Sequence, residues 1–201
     1  MQETKVHFRS GDCEIQGLYQ DGNTGMGVAI THPHPLYGGD MYNPVVEAIV
    51  TAYTRKEFAT LRFDFRGTGN STGSHAQGIG EQTDVAAAVT FLKSRGSQHV
   101  HLSGYSFGTW VNAMAVTGGL AIEAMTMVAP PVAFMDFGTD IRLPQLFFVV
   151  AGGRDEFGPP KLIRRAIDHW NPDARLEVLP DADHFFFGYL DEVTQKLVDS
   201  I

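Results

Sequence analysis

Apolar positions along the chain follow two periods that take turns. Residues 6–9 and 13–19 read as two β-strands joined by the tight turn Ser10-Gly11-Asp12. Residues 27–31 form the next predicted strand. Asn43-Pro44 then offers a helix N-cap with proline in the first helical position. Val45, Ile49, Ala52 and Tyr53 follow at helical spacing, with Arg55 and Lys56 near the end. Residues 60–65 return to a strand, which runs into the Gly-rich turn 66–73. Glu81 and Asp84 open a second helix with negative charge at its positive end. Val85, Ala88, Val89 and Leu92 are its apolar stripe and Gly96 its C-cap. Residues 99–103 are a strand, 106–117 a helix ended by Gly118-Gly119, and 124–128 a strand stopped by Pro130-Pro131. The run 146–151 is so apolar that both its faces are expected to be covered. Pro159-Pro160 starts a helix carrying Leu162, Ile163, Ala166, Ile167 and Trp170. Residues 175–179 are the last strand, and Leu190, Val193, Leu197 and Ile201 stripe the last helix.

Two leading strands followed by strand–helix alternation through six more predict a mostly parallel eight-stranded α/β sheet with helices on both faces. Ligands of such open sheets bind outside the carboxyl ends of the strands. At 201 residues the chain is expected to form one domain, 1–201. With 15 Lys+Arg against 23 Asp+Glu, a net charge of −8 works against phosphate backbones, so no nucleic-acid partner is expected. A single cysteine excludes an internal disulfide and Cys-rich zinc sites. The N-terminus lacks the apolar stretch of a signal peptide, and no run approaches the ~20 residues of a membrane span. A soluble, cytoplasmic protein with no membrane partner is therefore expected.

Gly104-Tyr105-Ser106-Phe107-Gly108 matches G-x-S-x-G between a predicted strand and a predicted helix. So sharp a turn leaves no room for a Cβ near the serine, hence glycine two places before and two after. The Ser106 hydroxyl would stand clear above the sheet, and the Phe107 backbone N–H could serve an oxyanion. Serine needs a base, and the base a carboxylate. Asp155, after the 146–151 strand, and His184, after the 175–179 strand, occur in the required order Ser, Asp, His. Asp136 is the second-ranked acid; Asp181 and Asp183 are too close in sequence to His184 to reach its far nitrogen.

The loop Thr31-His32-Pro33-His34-Pro35-Leu36-Tyr37-Gly38-Gly39 should supply a second oxyanion donor. Pro33 and Pro35 have no N–H, which leaves Leu36, favoured by the spacing to Gly38, or His34. His32 and His34 could join His184 on a metal, but the prolines interrupt their geometry and no carboxylate or cysteine lies near, so no metal is assigned. Residues 67–73 miss G-x-G-x-x-G, and neither a Walker A motif nor H-E-x-x-H occurs. Cys13, Trp110 and Met114 read as core.

With these residues in place the chain resembles the α/β-hydrolase superfamily over nearly its whole length. Asp64-Phe65-Arg66-Gly67-Thr68-Gly69-Asn70-Ser71 looks like the D-x-R-G-x-G-x-S turn common after the fourth strand of that group. His32-Pro33-His34-Pro35 with Gly38-Gly39 and the Ser106 motif is similar to small prokaryotic hydrolases of dienelactone-hydrolase size. That resemblance implies a serine hydrolase acting on a small acyl substrate, ester, thioester or amide, without a cofactor. Position 106 is serine where dienelactone hydrolase has cysteine, so that enzyme's substrate is not implied. Residues 129–145 are too few for a cap domain. A shallow apolar acyl site is expected, walled by Leu36, Tyr37 and Tyr42 on one side and Phe134, Phe137, Phe157 and Phe185 on the other. A small peptidase, and an inactive fold binding an acyl ligand or a protein partner, remain open alternatives.

Overall fold

A computed structural model of the chain describes residues 2–201. Its eight strands are β1 (Thr4–Ser10), β2 (Cys13–Gln20), β3 (Met26–Thr31), β4 (Ala59–Phe63), β5 (His99–Tyr105), β6 (Ala124–Val128), β7 (Leu146–Gly152) and β8 (Arg175–Leu179). They form one sheet in the order β1-β2-β4-β3-β5-β6-β7-β8. β2 lies antiparallel to both β1 and β4; every other neighbouring pair is parallel. The predicted strand at 60–65 is cut short at Phe63. There the chain leaves the sheet as the Asp64 side chain accepts the Met41 N–H and the Ser71 hydroxyl donates to the Asp64 carbonyl.

The two-residue period of the strands feeds two separate cores. Val28, Ile30, Val128, Phe148 and Val150 point to α1 (Pro44–Arg55) and α5 (Leu190–Ser200). Ala29, Leu102, Met127, Val149 and Ala151 point to α2 (Ile79–Ser94), α3 (Phe107–Thr117) and α4 (Pro160–Trp170). The strand at 146–151 is covered on both faces, as its unbroken apolar run requires.

Helix ends follow their local chemistry. Asn43 Oδ1 accepts the Val45 N–H at 2.9 Å ahead of Pro44. Gly96 takes a left-handed conformation after α2, where its N–H and that of Ser97 donate to the Lys93 and Leu92 carbonyls. Glu81 sits in the first turn of α2 and accepts the Ala76 and Gly78 N–H groups. Asp84, expected to share that duty, does something else. Fully buried, it grips the Arg66 guanidinium at 2.8 Å and accepts the Arg66 N–H at 3.0 Å, pinning the Gly-rich turn to α2.

The chain runs from β3 to β4 in one direction along the sheet, then returns past β3 to lay down β5 on its other side. Between β3 and β5 the sheet therefore has its switch point, and the loops after those two strands flank a crevice. Residues 129–145, between β6 and β7, contain turns and no helix, so no cap is inserted there. No described helix is long and apolar enough to cross a membrane.

Candidate active site

Ser106 stands at the switch point, between β5 and α3. Its backbone is held at φ 52° and ψ −122°, a conformation rarely tolerated by an L-residue. The flanking glycines make that turn possible. A Cβ on Gly104 would lie 2.5 Å from Thr31 Oγ1 and 2.8 Å from the Gly108 carbonyl carbon; one on Gly108 would meet Thr31 Oγ1 at 2.5 Å and its carbonyl oxygen at 2.7 Å. The obstacle is therefore mainly Thr31 on the neighbouring strand. The Ser106 N–H donates to the Val128 carbonyl, which ties the turn to β6.

Loops after β7 and β8 bring the other two residues to the same edge. Ser106 Oγ lies 2.9 Å from His184 Nε2, and His184 Nδ1 lies 2.8 Å from Asp155 Oδ2. The other carboxylate oxygen, Oδ1, accepts the N–H groups of Phe157 and Gly158 at 2.8 and 2.9 Å. With Oδ1 spent in this way, Oδ2 is left to take the His184 Nδ1–H, which leaves Nε2 free to accept from the serine. Asp155 and His184 are both buried. The Tyr105 hydroxyl donates to the His184 carbonyl at 3.0 Å, and burial, reinforced by the charges of Asp155 and Asp183, pushes its phenol up. Asp183 Oδ1 accepts the N–H groups of Phe185 and Phe186, closing the turn that carries His184. Sequence reasoning missed Tyr105 and Asp183; their side-chain partners are backbone groups, which leave no mark in a motif.

The three residues thus come together, and Asp136 does not join them. Its side chain accepts the Gly138 N–H within its own loop, and its carbonyl accepts the Trp110 indole N–H.

The loop after β3 bears on the expected second oxyanion donor. Pro35–Tyr37 is a short 3-10 turn, and the Leu36 N–H is already taken by His34 Nδ1 at 3.2 Å. Leu36 points outward and does not line the crevice, whereas His34 does. The backbone N–H groups of His34 and Phe107 have no acceptor among the described residues. His34 also packs its ring 4.6 Å from that of Phe107. The Leu36 N–H is therefore not free to act as the expected second donor, whereas that of His34, the alternative, is. His32 is fully buried; its Nδ1–H donates to the Pro33 carbonyl at 2.6 Å and its Nε2 accepts the Phe65 N–H at 3.0 Å. Both nitrogens are spent on bracing the loop against the turn after β4, so His32 has none to offer a metal.

The crevice encloses about 490 Å³ and includes Tyr37, Phe134, Phe157 and Phe185 among its walls. Three other expected walls lie elsewhere. Leu36 faces outward, Tyr42 lies beneath the Arg62 guanidinium, and Phe137 is buried against Trp170.

An open α/β sheet with a strained serine at its switch point and no cap defines a class, the lidless α/β hydrolases. Comparisons with known proteins agree. The fold superposes on an alpha-beta serine hydrolase homologue from Coxiella burnetii with a TM-score of 0.92 at 28% identity, covering 100% of this chain and 98% of that one. A protein of unknown function from Agrobacterium tumefaciens, proposed to be an alpha/beta hydrolase, gives a TM-score of 0.86 at 30% identity over 98% of this chain and 93% of that one. A serine hydrolase without a lid from Xanthomonas campestris shares the fold at a TM-score of 0.90 and 24% identity, covering 100% of this chain and 94% of that one. An uncharacterized protein of Rickettsia prowazekii is 27% identical over 97% of this chain and 87% of its own length. No family model matches. The chain belongs to the α/β-hydrolase superfamily.

Proposed function

We propose that the protein is a serine hydrolase that cleaves a carboxylic ester or thioester of a small acyl compound through an acyl-enzyme. One observation carries the reading: an unbroken hydrogen-bond chain from Ser106 Oγ through His184 to Asp155, ending on two backbone N–H groups. Ser106 Oγ attacks the carbonyl carbon while its proton passes to His184 Nε2. The negative charge that forms on the carbonyl oxygen is held by the N–H groups of Phe107 and His34. Asp155 orients the imidazole and stabilises its charged form. As the tetrahedral intermediate collapses, the bond to the leaving oxygen breaks and His184 returns the proton to that oxygen. Water, deprotonated by the same imidazole, then splits the acyl-enzyme and restores the serine. None of these steps needs a cofactor. The likeness to a serine hydrolase homologue at 28% identity supports the same class.

Labelling with a fluorophosphonate probe tests this directly. Mass spectrometry is expected to place the adduct on Ser106, and Ser106→Ala to abolish both labelling and ester turnover. An adduct elsewhere, or turnover by the alanine variant, would overturn the assignment.

A further inference from the structure

The aromatic residues around the crevice fall into two sets. His34, Tyr37 and Phe107 form one, with ring centroids 4.9 Å (His34–Tyr37) and 4.6 Å (His34–Phe107) apart; this set carries the free N–H groups. The other is built on His184. The Phe157 ring lies 4.7 Å from the imidazole, Phe185 meets it edge-on at 5.6 Å, and Phe134 meets Phe157 edge-on at 5.8 Å. Phe187 extends this set outward from Phe185 at 6.0 Å.

Which half of a substrate each set touches follows from proton transfer. The imidazole that takes the serine proton must deliver it to the leaving oxygen, so the departing group lies within hydrogen-bond reach of His184 Nε2. A set of rings packed around that imidazole is therefore placed to meet the leaving alcohol. The carbonyl oxygen lies toward the oxyanion donors.

Resting on the hydrolase reading, we propose that Phe134, Phe157 and Phe185 form the subsite for the leaving group, and that the protein selects esters of apolar, uncharged alcohols, aromatic ones foremost. Flat rings meeting edge to face suit an aromatic guest. Among the described residues no lysine or arginine lines the crevice. The Asp155 carboxylate stands directly behind His184, so an anionic alcohol finds no countercharge and one like charge. The exposure of Phe134 and Phe185, 61% and 52%, leaves the subsite open outward, so that a bulky alcohol can enter and depart without a lid. On this proposal these phenylalanines hold the alcohol, where the sequence reading expected them to wall the acyl chain.

Acetate esters of ethanol, benzyl alcohol and 4-carboxybenzyl alcohol share one acyl-enzyme and differ only in the group that leaves. We expect kcat/KM for benzyl acetate to exceed that for the 4-carboxybenzyl ester at least about tenfold. In Phe134→Ala and Phe185→Ala, both at exposed positions, the benzyl-to-ethyl ratio should fall by about fivefold or more, a comparison with wild type that cancels the alcohols' intrinsic reactivity. The ratio of ethyl acetate to ethyl butanoate should move less. An unchanged benzyl-to-ethyl ratio, or a change confined to acyl-chain selectivity, would overturn this assignment while leaving the hydrolase standing. Failure of the wild type to turn over any ester or to take the phosphonate would instead overturn the hydrolase reading beneath it.

Discussion

Replacing Asp155 with asparagine exchanges one oxygen for an NH₂ group and removes the negative charge, with almost no change of shape. The carboxylate makes three contacts: Oδ1 takes the Phe157 and Gly158 N–H groups, and Oδ2 takes His184 Nδ1. An amide has one oxygen for these three donors. If that oxygen stays on the two backbone N–H groups, the NH₂ faces His184 and forces Nδ1 to accept. The ring proton then moves to Nε2, which points at Ser106 and can no longer take its proton. If the amide flips, NH₂ confronts two N–H donors in a buried site, an arrangement that leaves them unpaired at roughly 1–3 kcal/mol each. The first arrangement is cheaper for the fold and ruinous for the base. The corresponding change in a serine protease lowers kcat on the order of 10⁴, about 5 kcal/mol of transition-state stabilisation, and we expect a similar loss here. The assay is steady-state hydrolysis of a p-nitrophenyl ester, with melting temperature as the control for folding. A loss smaller than about tenfold in a folded variant would refute the tautomer argument. A greater loss from Asp136→Asn would show that the wrong acid had been chosen.

Gly108→Ala places a Cβ 2.7 Å from the Thr31 carbonyl oxygen, a backbone atom that cannot swing aside; about 1–3 kcal/mol of destabilisation should appear as a melting point lowered by several degrees, and an unchanged melting point would contradict the packing argument. Acid should destabilise the protein through His32 and His101, both driven down to about 4 chiefly by burial. Between pH 6.5 and about 4 the unfolded chain binds these protons and the folded one does not. Stability is thus complete above pH 6.5 and falls with pH across that window, by ~3 kcal/mol for His32 alone. Urea unfolding at pH 7 and pH 4.5 checks this, and equal midpoints would refute it. Among p-nitrophenyl esters, where the leaving group is constant, rate should peak at short acyl chains and show no jump when substrate enters micelles, since no cap closes the crevice; a long-chain optimum or interfacial activation would argue for a lid.

The sequence by itself determined the features that depend on neighbours along the chain. Alternation of period and punctuation by glycine and proline located every strand and helix to within a few residues, because each is decided by side-chain spacing and caps. The glycine-flanked Ser106 and the order of Asp155 and His184 were legible for the same reason: each follows a recognisable strand, and parallel strands deliver their following loops to one edge. Two kinds of fact were not local. Strand order depends on which strand next accepts β5, and nothing in residues 99–105 encodes that β4 has gone to the far side of β3. The partners of polar groups are equally non-local. Asp84 looked like a helix-end charge until folding buried it against Arg66, 18 residues upstream. The Leu36 N–H looked free until the His34 side chain turned back onto it. Phe134 and Phe185 are 51 residues apart in the chain and share a wall of one crevice only because β6, β7 and β8, whose following loops carry them, lie side by side. Spacing can say that an aromatic residue sits in a loop; only the packed sheet decides which side of the imidazole it occupies.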